Sequence, residues 1–129
     1  MNQNLFERKN FLENNWMTPN ISNNFSFDKK NDNMVVKVNF LRATASEADS
    51  MKKYLLRVSK ENDQPIIIDL SSCNFVDSTF LSSIISFNKS SDTKIKLVVA
   101  DKRQLAIFKI TKLDSLFNIY DSLEGALVS

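Results

Sequence analysis

Histidine is absent from this 129-residue chain, and cysteine and glycine each occur once. Without histidine there is no Ser-His-Asp or Cys-His nucleophile pair. One cysteine cannot build the usual Cys/His zinc site or an internal disulfide, a usage that fits a reducing cytosol. One glycine, Gly125, cannot make a glycine-rich loop that cradles phosphate. No apolar run approaches the roughly 20 residues needed to span a bilayer, so membrane insertion is not expected. The start, Met1-Asn2-Gln3-Asn4, does not read as a secretory signal, since no basic start leads into an apolar stretch. Charge of one sign is also lacking. Seventeen basic and 15 acidic side chains leave a formal net charge of +2, no footprint for nucleic acid.

What is present suits one soluble domain. Hydrophobic residues make up 43% and charged residues 25%, enough to bury one core at this length. Asparagine crowds the first 33 residues, with Leu5, Phe6, Phe11, Leu12, Trp16 and Met17 scattered among them. Residues 1–20 therefore read as a partly ordered extension, docked on its own fold or on a partner, with Trp16 as its anchor. A homodimer would pair through Trp16.

Beyond residue 21, strand and helix signals alternate. Ile21 to Phe27 reads as a weak strand followed by a Lys/Asp/Asn turn, and Met34 to Val38 as a β-branched strand. Thr44-Ala45-Ser46-Glu47 has capping-box spacing, and Ala48, Met51, Leu55 and Val58 share one helix face. Pro65 to Leu70 is a continuous apolar run of the kind buried on both sides by parallel neighbours. Ser71 to Asp77 reads as a loop and Ser78 to Lys89 as a helix with Leu81, Ile84 and Ile85 on one side. Ile95 to Val99 follows as a strand with Lys94 and Lys96 facing out, then a helix over Gln104 to Ile110. A strand over Leu116 to Tyr120 and a terminal helix capped by Asp121 or Ser122 complete the pattern. The class is α/β with a mainly parallel sheet.

Within this order, Ile66-Ile67-Ile68-Asp69-Leu70 followed by Phe75-Val76-Asp77-Ser78-Thr79 resembles the signature of STAS domains, named for sulfate transporters and anti-sigma factor antagonists. Ile110 to Phe117 and Ile119 to Leu127 resemble the family's C-terminal segment. Three positions depart from the pattern. Phe80 follows the acceptor hydroxyl where glycine is usual, Lys112 replaces another glycine, and Asn39-Phe40-Leu41-Arg42 replaces Gly-x-Leu-Asp. The resemblance implies a STAS-like domain over residues 21–129, with a mainly parallel four- to five-stranded mixed sheet and about four helices.

It also implies a cytoplasmic, bacterial, non-enzymatic regulator of transcription without metal or cofactor. Such a protein binds an anti-sigma factor that is also a GHKL-type serine kinase, and a PP2C-type phosphatase reverses the modification. The family pattern places phosphorylation on Thr79, with Ser78 as second choice. The implied contact surface is Phe40, Leu41, Thr44, Asp77, Ser78, Thr79, Phe80 and Ser82. The resemblance equally admits an accessory subunit of a membrane transport ATPase for lipids or anions. Independently of family, Asp77 or Ser78 should cap the helix and place Thr79 in its first turn, beside unpaired amides at the positive helix end. Asp69 reads as a loop brace, Cys73 as a small packed hydrophobe, and Lys102, Arg103, Lys109 and Lys112 as a solvated basic face.

Overall fold

The computed structural model describes residues 24–61, 63–89 and 95–128. The N-terminal extension over residues 1–20, its Trp16 anchor, and Lys94 lie outside the described residues.

The first described elements are an antiparallel hairpin, β1 (Phe25–Lys30) and β2 (Asn33–Val38), in which Lys30 faces Asn33 across a two-residue turn. Asn31 and Asp32 both have positive φ, 51° and 63°, which a two-residue hairpin turn of the favoured twist requires. Of the expected Ile21–Phe27 strand, residues 21–23 lie outside the described residues, and β1 runs three residues past the expected end at Phe27. It runs through Asp28, Lys29 and Lys30 because an edge strand buries only Phe25 and leaves the other side chains in water. Charges there also discourage pairing with another chain's edge.

A two-residue strand β3 (Arg42–Ala43) leads into α1 (Ala45–Glu61), which buries Met51, Leu55 and Val58. All four side chains of β4 (Ile66–Asp69) are buried, and it pairs in parallel with β2 on one side and β6 (Lys96–Val98) on the other. The expected connecting loop contains a second two-residue strand, β5 (Phe75–Val76), parallel to β3. Two residues give no periodicity to read, which is why this pair escapes a sequence pattern. Helix α2 (Ser78–Lys89) matches its expected span. Helix α3 covers Lys102–Ile110, two residues longer than expected, because the Asp101 carboxylate accepts from the amides of Arg103 and Gln104 and caps it early. A 3₁₀ turn (Leu113–Ser115), β7 (Asn118–Tyr120) and α4 (Leu123–Leu127), capped by Ser122, complete the described chain.

The main sheet has the order β1-β2-β4-β6-β7. Its parallel strands step one place at a time in one direction, so crossovers of one hand stack their helices on the same face. That face carries the main core, where Val36, Ile68 and Leu97 meet Met51, Leu55, Leu81, Ile84 and Phe108. The alternate residues Val35, Ile67 and Val98 form a smaller cluster covered by Ala126, Leu123 and Leu127 of α4. Lys96 lies on this second face, half-buried rather than facing out. Its ammonium donates to the Ala126 carbonyl at 3.0 Å and sits 5.9 Å from the Tyr120 ring, so its stem covers apolar surface while its charge is satisfied.

Glycine scarcity has a visible cost after α3. Lys112 keeps φ 61°, the left-handed conformation for which glycine is suited. Its backbone still closes the turn, donating to the Lys109 carbonyl and accepting from Ser115. Left-handed backbone disfavours a side chain by about 1–2 kcal/mol, partly offset by the greater freedom glycine loses on folding. Lys112→Gly should therefore raise unfolding free energy by about 0.5–1 kcal/mol, read by urea denaturation, and Lys112→Ala should give no gain.

Candidate functional site

The connections after β2 and β4 meet at one carboxylate. Asp77 directly follows β5, and its backbone amide donates to the Ala43 carbonyl at 2.9 Å. Its carbonyl accepts the first α2 bond, from Leu81 at 3.1 Å. Oδ1 of its side chain accepts from the Phe80 amide at 2.8 Å, which makes Asp77 the N-cap of α2. Oδ2 accepts from the Ala45 amide at 2.9 Å, the first amide of α1. One side chain thus ties the starts of two helices together. Thr44 completes the α1 end. Its amide and hydroxyl both donate to Glu47 Oε1, at 2.8 and 2.9 Å, and its hydroxyl accepts from Ser46 at 3.3 Å. The reach of Glu47 back to the Thr44 amide is the reciprocal half of a capping box.

This junction presents Ser78 and Thr79, both exposed, in the first turn of α2. Among the described residues neither hydroxyl has a hydrogen-bond partner, and the Ser78 and Thr79 amides have none either. Ser82, also exposed, donates to the Ser78 carbonyl at 2.8 Å. An oxyanion placed here would meet the positive end of a 12-residue helix.

Of the expected contact residues, Leu41 is 64% exposed, Thr44 and Asp77 are half-buried, and Phe40 is half-buried against the core. Phe80 corrects the expectation. It is 0% exposed and so contributes no surface for a partner. As the third residue of α2 it turns inward and meets Phe40 edge to face, with ring centroids 6.1 Å apart and planes at 88°. Phe40 meets Phe25 the same way at 5.7 Å, and Phe25 lies 5.1 Å from Tyr54. The residue replacing glycine fills the core under the helix start instead of covering the hydroxyls.

Asp69 braces the loop as expected, accepting from the Ser71 amide at 2.9 Å. Cys73 is buried, and that burial, with a smaller contribution from the Asp69 carboxylate, pushes its thiol from 9.0 up to about 12. Tyr54 is also raised, chiefly by burial. Among the described residues no group of three His, Cys, Asp or Glu side chains could hold a metal ion. No described helix is long and apolar enough to cross a membrane.

Sequence reasoning missed two features. The second oxygen of Asp77 reaches a helix 32 residues away, a distance no local motif encodes. Arg42, noted only as a departure from pattern, sets its guanidinium 4.4 Å from the Phe75 ring centroid beside a cleft of about 380 Å³. Its alignment with Phe75 in the β3–β5 pair depends on strands too short to foresee.

The architecture and junction define a class: a small α/β domain with a one-sided stack of crossover helices and a hydroxyl pair exposed where the second helix begins. The chain belongs to the STAS domain family, whose sequence profile matches residues 27–126. The fold is that of an anti-sigma factor antagonist from Mycobacterium paratuberculosis, at TM-score 0.71 and 21% identity, covering 81% of this chain and 90% of that one. A Thermotoga maritima protein provisionally classed as an anti-sigma factor antagonist superposes at TM-score 0.66 and 25% identity, covering 80% of this chain and 91% of that one. The unphosphorylated form of the anti-sigma factor antagonist SpoIIAA superposes at TM-score 0.58 and 11% identity, covering 81% and 94%. Among curated proteins none matches the chain.

Two outcomes follow from this geometry. Asp77→Ala removes a cap shared by two helices and should cost about 2–3 kcal/mol of unfolding free energy. Asp77→Asn, keeping a single acceptor oxygen, should cost about half of that, while Ser78→Ala should stay within about 0.5 kcal/mol. Above pH 9 the Cys73 thiol ionises in the unfolded chain but stays protonated in the folded one until about pH 12. Binding fewer protons when unfolded, the protein loses stability as pH climbs through that window, and Tyr54 adds to the loss. Unfolding free energy measured against pH should fall less steeply for Cys73→Ala.

Proposed function

We propose that this STAS domain is an anti-sigma factor antagonist-type regulator whose binding is switched by phosphorylation of Thr79. Its partner is an anti-sigma factor of the GHKL-type serine kinase class. The unphosphorylated form binds that kinase and frees a sigma factor, and a PP2C-type phosphatase restores the binding form. The chain itself catalyses nothing in this cycle, which runs in the bacterial cytoplasm.

The observation that carries the reading is the exposed, unpartnered Thr79 hydroxyl beside open amides at the start of α2. Family membership supplies the context, and an anti-sigma factor antagonist described in an unphosphorylated form shares the fold. Ser78 is equally exposed, so the choice of Thr79 rests on its position in the family pattern.

The energetics suit a switch. Phosphate adds roughly −1.5 to −2 charges. The helix start tolerates that anion, so the fold survives. A partner packed over Thr79 would have to bury the phosphate without a counter-charge, at a cost of several kcal/mol. Each 1.4 kcal/mol is about tenfold in affinity, enough to dissolve a complex. The contact edge is Leu41, Thr44, Ser78, Thr79 and Ser82, with Phe40 and Asp77 holding it in shape from beneath. Burial of Phe80 removes one support for constitutive docking on a transport ATPase, since it offers nothing at the surface.

The test takes the GHKL-type kinase domains of the same genome one by one, with calorimetry for binding and mass spectrometry for phosphate. One kinase should bind wild type, place phosphate on Thr79, and bind Thr79→Asp about 100-fold more weakly with unchanged circular dichroism. Thr79→Val should bind within about threefold and accept no phosphate. Equal affinity of wild type and Thr79→Asp, or phosphate confined to Ser78, overturns the assignment.

A further inference from the structure

Beyond the carboxyl ends of β2, β4 and β6 the chain leaves a cleft of about 380 Å³, lined by Arg42, Asn74, Phe75, Arg103, Gln104 and Ile107. In open α/β sheets, ligands bind in the crevice outside the carboxyl ends of the strands. The floor is apolar, from Phe75 and Ile107. Two cations line the cleft, from two elements. Arg42 comes from β3, its guanidinium stacked on Phe75 at 4.4 Å, which fixes the group while leaving its N–H edge free. Arg103 comes from the first turn of α3; its side chain is 85% exposed, and its nearest carboxylate, Asp101, is 4.0 Å away. That carboxylate is already held by the Arg103 and Gln104 amides. Among the described residues no acidic side chain pairs with Arg42.

Gln104, 6% exposed as a residue, lines the same cleft. The cleft itself is mainly apolar, and the two guanidinium groups stand at its rim as cationic partners for an anionic oxygen. Asn74 and Phe75, on one wall, belong to the same connection that ends at Ser78 and Thr79, so cleft and hydroxyl edge share a surface.

We infer that this cleft is a second docking point for the protein partner, and that it receives an acidic segment in which an apolar side chain is flanked by Glu or Asp. The apolar group fills the floor over Phe75 and Ile107, and its neighbouring carboxylates pair with Arg42 and Arg103. The inference rests on the reading that this edge meets a protein partner, and adds the chemistry of what that partner presents.

The experiment titrates isotope-labelled full-length protein with a short end-blocked peptide carrying one Leu among Glu residues, followed by amide NMR. The control peptide has Lys in place of every Glu. The acidic peptide should shift the amides of Phe75, Arg103, Gln104 and Ile107, and the basic one should shift none. Arg42→Glu and Arg103→Glu, both at exposed positions, should each weaken the acidic peptide about tenfold or more, and raising salt should weaken it for wild type. Equal binding of both peptides, shifts confined to other surfaces, or no shift at millimolar peptide would overturn the cleft assignment. So would hexanoate producing the same shifts at the same concentration, since that assigns the cleft to a free acid. None of these outcomes depends on Thr79. A kinase that ignores Thr79→Asp removes the switch and leaves the cleft standing, while a silent peptide removes the cleft and leaves the switch.

Discussion

One carboxylate organises the working edge of this domain. Asp77 accepts from the first turn of α2 through one oxygen and from the first amide of α1 through the other. Its backbone amide is bound to Ala43 of the adjoining strand. Four chain segments therefore meet within two hydrogen bonds of a single side chain. The Thr79 hydroxyl is displayed two residues from this knot, on a helix start that the knot fixes. If Thr79 is the acceptor proposed above, its rigid backbone would spare both kinase and partner the cost of ordering it on binding. The same carboxylate makes the edge sensitive to charge. A phosphate on Thr79 would meet the open Ser78 and Thr79 amides while repelling Asp77, whose Oδ2 would carry that repulsion to the start of α1.

The larger elements were legible because burial imposes period. β4 reads as a buried parallel strand since all its side chains are apolar or capped in place, and α1 reads from its stripe of Met51, Leu55 and Val58. The Thr44–Glu47 capping box was visible as spacing and appears as two hydrogen bonds. What escaped lacks period or is nonlocal. The β3–β5 pair has two residues a side. The bond from Asp77 to Ala45 crosses the whole of α1 and β4 in sequence. Lys96 looked like an outward charge because alternation assigns a face and not its contents. The second face carries α4, whose Ala126 carbonyl takes up the ammonium.

The departures from family pattern resolve into two physical kinds. Lys112 still occupies left-handed backbone, so the turn has been kept and the strain accepted. Phe80 and the Asn39-Phe40-Leu41-Arg42 stretch have rebuilt their surroundings instead. Among the described residues only Asn31, Asp32 and Lys112 have positive φ, so neither Asn39 nor Phe80 sits where glycine's freedom is needed. Phe40 and Phe80, both within departing stretches, meet edge to face in a row of rings that continues through Phe25 to Tyr54. Phe80 puts a ring where the family pattern has glycine, and Phe40, at a position the pattern leaves open, supplies the facing ring that packs against it. A core stays close-packed when the added volume meets a side chain shaped to receive it.

Arg42 carries this reasoning to the surface. It stands where the family's sequence pattern has Asp, and it is neither buried nor paired with an acid among the described residues. Reversing a charge at an interface costs little within the free protein but much in the complex, since the facing group changes from attractive to repulsive. In the proposed complex, Arg42 would disfavour a partner complementary to Asp at this point and favour one bearing a carboxylate. Together with Arg103, the substitution would give the divergent chain, in the proposed complex, a recognition surface of opposite sign beside a helix start that keeps its hydroxyls. On the two proposals together, specificity and switching would reside in adjacent but separate groups, so one could diverge between family members while the other stayed chemically the same.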